Sequence, residues 1–398
     1  MPNVPSFVRV RPFNFIRGLS RHHEVVLLCL STDRADEASL AKLRPYCQDL
    51  EIIRLSPARS LWNCFSALFS SRPLRCAYFY SPLLRGRIKA RVEEGAFDLL
   101  HAEHLKSVPM LEDVIGKIPI VFDAVDCISM FEARRHRVIR NPFLNLFSSI
   151  ESRRMAYWET KAARLADHVV ISSPIDKEHY PSFSALDEKI EVIPNGVDLD
   201  YFDFSPDQTD GNLLIFCAKL DYFPNEDAAL YFANSVWPIL RERRPELRLD
   251  IVGSRPPRTV KQLNGRDNIR VIGSVPDVRP YLRRASVALC PIRLRAGIQN
   301  KILEAMALGV PVIATRICCP GLAVEPGRHL LVADTPDEFA RAVELAVDNP
   351  ALRASLIQAG RKYVESRHDW TECVHALAEV YVRARDGFHH VSEVFTAR

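Results

Sequence analysis

A chain of 398 residues, 47% of them hydrophobic and 26% charged, is long enough for two globular domains with a core each. A net charge of +4 excludes nucleic-acid binding as the main task. Ten cysteines occur without a Cys-x-x-Cys pair, most of them in apolar runs as at Cys29, Cys217 and Cys290, which fits reduced core thiols better than disulfides or zinc. No stretch reaches the roughly 18 uninterrupted apolar residues of a spanning helix, and the first residues lack a signal-peptide layout. The expectation is a cytoplasmic protein, with a membrane surface as a candidate resting place.

Short apolar runs alternate with longer helical patterns throughout, the mark of an α/β chain with parallel sheets. First-half strands are predicted at 23–30, 50–55, 99–101, 118–123, 168–172 and 191–193. Second-half strands are predicted at 213–218, 248–252, 269–272, 287–291, 310–315 and 329–332. Residues 56–91 stand apart: they carry Arg59, Arg72, Arg75, Arg85, Arg87, Lys89 and Arg91 and no acidic residue. Trp62, Phe65, Leu68 and Phe69 recur there at helical spacing. Such a basic amphipathic stretch either rests on anionic lipid or packs its aromatic face into the core with its arginines solvated.

Two strand ends in the first half carry polar groups: Phe97-Asp-Leu-Leu-His-Ala-Glu-His, with His101, Glu103 and His104, and Val121-Phe-Asp-Ala-Val-Asp, with Asp123 and Asp126. A turn-rich phrase, Pro194-Asn-Gly-Val-Asp-Leu-Asp-Tyr-Phe, divides the halves. It contains Asp198-Leu-Asp200, which has the form of a metal-binding pair but reads better as a turn. After it, Phe216-Cys-Ala-Lys-Leu-Asp-Tyr-Phe-Pro-Asn delivers Lys219 to the carboxyl end of a strand, where α/β folds bind ligands. Two plain strand-to-loop turns follow, at Ile251-Val-Gly-Ser and Val271-Ile-Gly-Ser-Val-Pro-Asp-Val.

The stretch Arg295 to Thr315 reads as loop, short helix and buried strand. Gly297 lets the backbone approach a ligand, the helix starts near Asn300, and Gly309 with Pro311 stops it. Amides of Gln299, Asn300 and Lys301 point out of a helix start, where the dipole favours an anion. Lys301 adds a cation, and Glu304, one turn further in, offers a carboxylate for a ribose diol.

This stretch resembles the donor-site signature of retaining GT-B glycosyltransferases of the group 1, family 4 type. That signature is a glutamate, seven residues, a second glutamate and then Ala-Met-Ala-x-Gly-x-Pro-Val-Ile-Ala. The second half matches from Glu304 to Ala314; the first glutamate is replaced by Ala296. The form Gly-Ile-Gln-Asn-Lys-Ile-Leu-Glu is most similar to an exosortase- and exopolysaccharide-associated branch.

The resemblance implies two Rossmann-like domains facing across a crevice. They are an acceptor domain over 1–197, a donor domain over 198–374, and a helix over 375–398 returning to the first. It places Met1-Pro-Asn-Val-Pro-Ser in the loop after the family's first strand, so that strand is either upstream or missing.

By the same resemblance the donor is UDP- or GDP-linked, its diphosphate held by Lys219, Lys301 and the helix start, its ribose by Glu304. The donor set also includes Ile298 with Gly297, Gln299 and Asn300. Ser274 and Val275 border the base. Asn225 stands where a second basic residue is usual. Ala296 leaves the sugar's hydroxyl contact unfilled, with Arg295 as the neighbouring substitute. Asp126 joins the catalytic set; His101, His104, Asp123, Arg9 and Arg11 face a glycan or lipid-linked acceptor. No metal and no cofactor are expected, and attack on the same face needs no protein nucleophile. The alternatives are a sugar-nucleotide epimerase of the same fold and an inactive nucleotide-binding partner subunit.

Overall fold

The computed structural model describes residues 10–32, 40–136, 142–181, 183–206, 209–294 and 298–396. Arg9, Arg295, Ala296, Gly297 and the segment 1–6 therefore lie outside the described residues. The chain divides into two compact units, Asn195–Trp370 and Asn3–Pro194 with Thr371–Arg398. The sequence had put the boundaries at 198 and 375.

In the N-terminal unit, β1 (Val26–Ser31) pairs in parallel with β2 (Asp49–Arg54). A second parallel sheet has the order β3 (Leu100–Glu103), β4 (Ile120–Val125), β5 (His168–Ile171), β6 (Ile190–Val192). Among the described residues no strand joins the two sheets. The helices used below are α1 (Val10–Leu19), α2 (Pro57–Ala67), α3 (Leu74–Tyr78), α4 (Pro82–Glu93), α5 (Ile128–His136) and α6 (Pro142–Leu165). The basic segment 56–91 is thus three helices rather than one. Unbroken apolar strands such as Ile120-Val-Phe are what a sheet covered on both faces requires; here Phe122, Val169 and Ile171 pack with Trp158 of α6 and Tyr180 in one core.

The C-terminal unit is built on a six-stranded parallel sheet. Its strands are β7 (Asp210–Cys217), β8 (Arg248–Val252), β9 (Ile269–Gly273), β10 (Ala285–Cys290), β11 (Val312–Ala314) and β12 (Leu331–Val332). Their spatial order is β12-β11-β10-β7-β8-β9. The chain runs outward from β7 to β9, returns to place β10 beside β7, and runs outward the other way. Order reverses between β7 and β10, and an α/β sheet binds ligands beyond the strand ends at such a point. Helices α7 (Phe223–Tyr231) and α8 (Asn300–Leu308) start on that side, after β7 and β10; the last helix, α9, is Trp370–Thr396. Phe216, Val287, Leu289, Leu303 and Ile313 are fully buried between the layers.

Candidate functional site

A cavity of about 470 Å³ lies at this reversal, within the C-terminal unit. Its wall takes Cys217, Ala218 and Lys219 from the end of β7, with Tyr222 and Asn225 from the turn into α7. Gly253 and Ser254 follow β8, Ser274 and Val275 follow β9, and Ile298, Gln299, Asn300, Lys301 and Glu304 come from the start of α8. That volume suits a ligand of nucleotide size.

The local sequence explains the shape. At Gly253 a Cβ would lie 1.6 Å from the carbonyl oxygen of Ala218, so the backbones after β7 and β8 meet only because no side chain intervenes. Asn225 Nδ2 donates to the carbonyl of Lys219 at 2.9 Å and closes the β7–α7 turn. Lys301 Nζ then donates to Asn225 Oδ1 at 3.0 Å and to Gln299 Oε1 at 2.8 Å. Asn225, which with Pro224 occupies the place where the resemblance implies a second basic residue, thus holds Lys301 in place. Asn195 Nδ2 donates to Asn300 Oδ1 at 3.3 Å, tying the turn-rich phrase to the start of α8.

The charges are uneven. Lys301 and the positive end of the α8 dipole stand in the wall. Lys219 is 64% exposed, with its ammonium 3.8 Å from Asp221; Asp221 in turn lies 3.7 Å from Arg255, beside Ser254. Burial raises the Glu304 carboxyl above its usual range, with Lys301 opposing, and a charge-assisted partner would bring it back down. Burial, with Glu304 adding to it, pushes the Cys217 thiol up to about 12. That thiol stays protonated at neutral pH and is no nucleophile. Asp198 accepts from the Tyr201 amide at 3.0 Å, which makes Asp198-Leu-Asp200 a turn.

Sequence reasoning missed Tyr222, Ser254 and Val278. The aromatic after the strand-end lysine was the one signal available; a Gly-Ser turn and an apolar residue after a strand look like any βα loop.

The family model for glycosyltransferase family 4 matches residues 8–201, and that for glycosyl transferases group 1 matches residues 211–349. D-inositol 3-phosphate glycosyltransferase 2 of Catenulispora acidiphila is 24% identical over 326 residues, 75% of this chain and 73% of that one. Glycosyltransferase 1 domain-containing protein 1 of Xenopus tropicalis is 29% identical over 136 residues, but that match takes in only 32% of this chain and 39% of the relative. Among solved structures, Anabaena HepE in complex with UDP superposes with a TM-score of 0.67 at 15% identity, covering 93% of this chain and 95% of that one. The chain is a glycosyltransferase of the GT-B fold.

The N-terminal unit of this glycosyltransferase places the remaining candidates at the ends of β3 and β4. His104 and Val125 both have left-handed backbone, at φ +68° and +66°, which for a β-branched residue is an outlier. The His104 amide donates to the Asp123 carbonyl at 2.7 Å, and Ser172 Oγ donates to Asp126 Oδ1 at 3.2 Å.

Arg11 and Asp123, read from sequence as facing an acceptor, are instead almost fully buried and joined at 2.7 Å. Arg11 also donates to the carbonyls of Ile193 and Pro194 at 2.9 and 3.2 Å, and Asp123 Oδ1 accepts from the Val125 amide at 3.0 Å. This pair fastens α1 to the end of β4 and shapes the strained turn. His101 Nδ1 is 2.9 Å from the Tyr381 hydroxyl of α9, and burial holds its imidazole below the usual range, hence neutral.

Proposed function

We propose that this glycosyltransferase moves a hexosyl group from a UDP-sugar to a glycan or lipid-linked acceptor with retention of configuration and without a metal, in cell-surface or exopolysaccharide assembly. The observation that carries this reading is the cavity at the β7/β10 reversal, with Lys301, the start of α8 and Glu304 in one wall. UDP is preferred to GDP because HepE, of similar fold, was crystallised with UDP and with UDP-glucose. In the reaction the bond between the anomeric carbon and the donor phosphate breaks as the acceptor oxygen bonds that carbon on the same face. The acceptor's proton passes to the departing diphosphate. Lys301, Lys219 and the α8 dipole oppose the charge that develops there, while Glu304 accepts from the ribose hydroxyls. Asp126, His104 and the strained turn at Val125 stand as the acceptor-side candidates. Branch and polysaccharide role rest on the resemblance of the Gly297–Glu304 phrase alone.

Calorimetry of UDP and GDP in EDTA tests this. UDP should bind and GDP much less. Glu304→Ala should weaken UDP roughly tenfold to a hundredfold, the loss of one or two hydrogen bonds to a charged acceptor. A folded protein that binds neither nucleotide sinks the reading; tight binding without transfer to any acceptor moves it to a partner subunit.

A further inference from the structure

Helix α2 is inside out. Its inward face is small and polar: Ser60 and Ala67 are buried, Asn63 Nδ2 donates to the Tyr80 carbonyl at 2.8 Å, and Cys64 Sγ donates to the Leu74 carbonyl at 3.7 Å. Its outward stripe is aromatic. Trp62 and Phe65, with Phe69 in the turn just after the helix, are 63%, 55% and 82% exposed, and Leu61 and Leu68 are exposed beside them. The three rings touch in series, at centroid distances of 5.9 and 5.7 Å. Single exposed apolar residues are ordinary, but a contiguous row of them marks an interaction surface.

The row extends onto α6. Arg154 donates to the Leu68 carbonyl at 3.2 Å, Trp158 Nε1 to the Ser71 carbonyl at 3.0 Å, and the Leu74 amide to Glu151 Oε2 at 2.9 Å. These bonds lay the middle of α6 against the end of α2. One turn earlier on α6, Leu146, Phe147 and Ile150 are exposed as well.

Among the described residues, the exposed charges on this surface are positive. Arg59 and Arg153 are exposed. The acidic residues that face it, Glu132 and Glu151, are buried and paired with Arg75 and Arg154. By contrast Arg85, Arg87 and Arg91 of α4 are turned to Asp113, Glu51 and Asp49 and take no part.

We propose that α2 and the exposed side of α6 dock the N-terminal unit on a bilayer containing anionic lipid. Aromatic rings enter the interfacial zone and the arginines meet headgroup phosphates. A second copy is a poor occupant, because a two-fold interface sets the same patch of both subunits together and so apposes two positively charged surfaces. Docking needs neither nucleotide nor acceptor, so its test is independent of the donor-site reading.

The full chain is floated with phosphatidylcholine vesicles with and without phosphatidylglycerol. It should rise with the anionic vesicles. Tryptophan emission should shift to the blue, and only Trp62 can report this, since Trp158, Trp237 and Trp370 are buried. Combined Trp62→Glu, Phe65→Glu and Phe69→Glu should lower binding at least tenfold, and Arg59→Glu with Arg153→Glu roughly tenfold. Leu345→Glu, at an exposed site in the other unit, should change nothing. Absence of flotation, or flotation that survives the triple change, overturns the proposal. So does lipid-free self-association that the triple change abolishes, which would make the face a protein interface.

Discussion

Glu159 of α6 is buried, and its Oε1 accepts from the Ile128 and Ser129 amides at 2.6 and 3.3 Å, capping α5 from another element. Burial outweighs those bonds and raises its carboxyl from 4.5 to about 7. The folded chain therefore holds this proton more tightly than the unfolded chain. The resulting stability is complete below about pH 4.5 and lost as pH rises through about 7. Glutamine keeps an oxygen for both amides and carries no charge. Relative to wild type, Glu159→Gln should gain about 2 to 3 kcal/mol between pH 4.5 and 8, measured by urea unfolding across that range; a flat difference would refute the assignment. At this scale the cavity wall was legible where chemistry and helix spacing coincide, as at Lys301 and Glu304. Gly253 was not, because its need appears only when the backbone at Ala218 lies against it. Arg11 and Asp123 misled for the opposite reason: a strand-end carboxylate reads the same whether it meets a ligand or a buried arginine.

Elements were more legible than the faces they present. All twelve predicted strands are present, with ends shifted by a few residues, because short apolar runs bounded by turn signals and alternating with longer helical patterns mark parallel strands. The orientation of α2 was not legible. Its periodicity marks a stripe, and only the tertiary bonds of Asn63 and Cys64 reveal that the stripe faces outward. The stop of α8 was read correctly and can be tested. Gly309 has φ +82°, and a Cβ there would lie 2.8 Å from Phe204 Cε2. Gly309→Ala combines left-handed strain with a clash and should destabilise the protein by about 2 to 3 kcal/mol. A shift of the urea midpoint worth less than about 0.5 kcal/mol would mean that the turn relaxes freely.

At the scale of the whole molecule, a break in the chain does not coincide with a break in the site. Residues 195–370 have their own six-stranded sheet and core, and every residue lining the cavity belongs to them. The phrase that opens this unit is also bonded within it: the Val197 amide donates to the His368 carbonyl at 2.7 Å, and His368 Nδ1 lies 2.7 Å from the Asn195 carbonyl. Both ends of the segment are thereby pinned together, as is common in domains that fold on their own. Expressed alone, 195–370 should unfold cooperatively and bind UDP within roughly threefold of the full chain, a difference below about 1 kcal/mol. It should transfer no sugar, because the proposed acceptor-side residues at the ends of β3 and β4 are absent. Affinity more than about tenfold weaker in a cooperatively folded fragment would mean that the nucleotide takes contacts from the N-terminal unit. The proposed donor site would then have to be redrawn to include them.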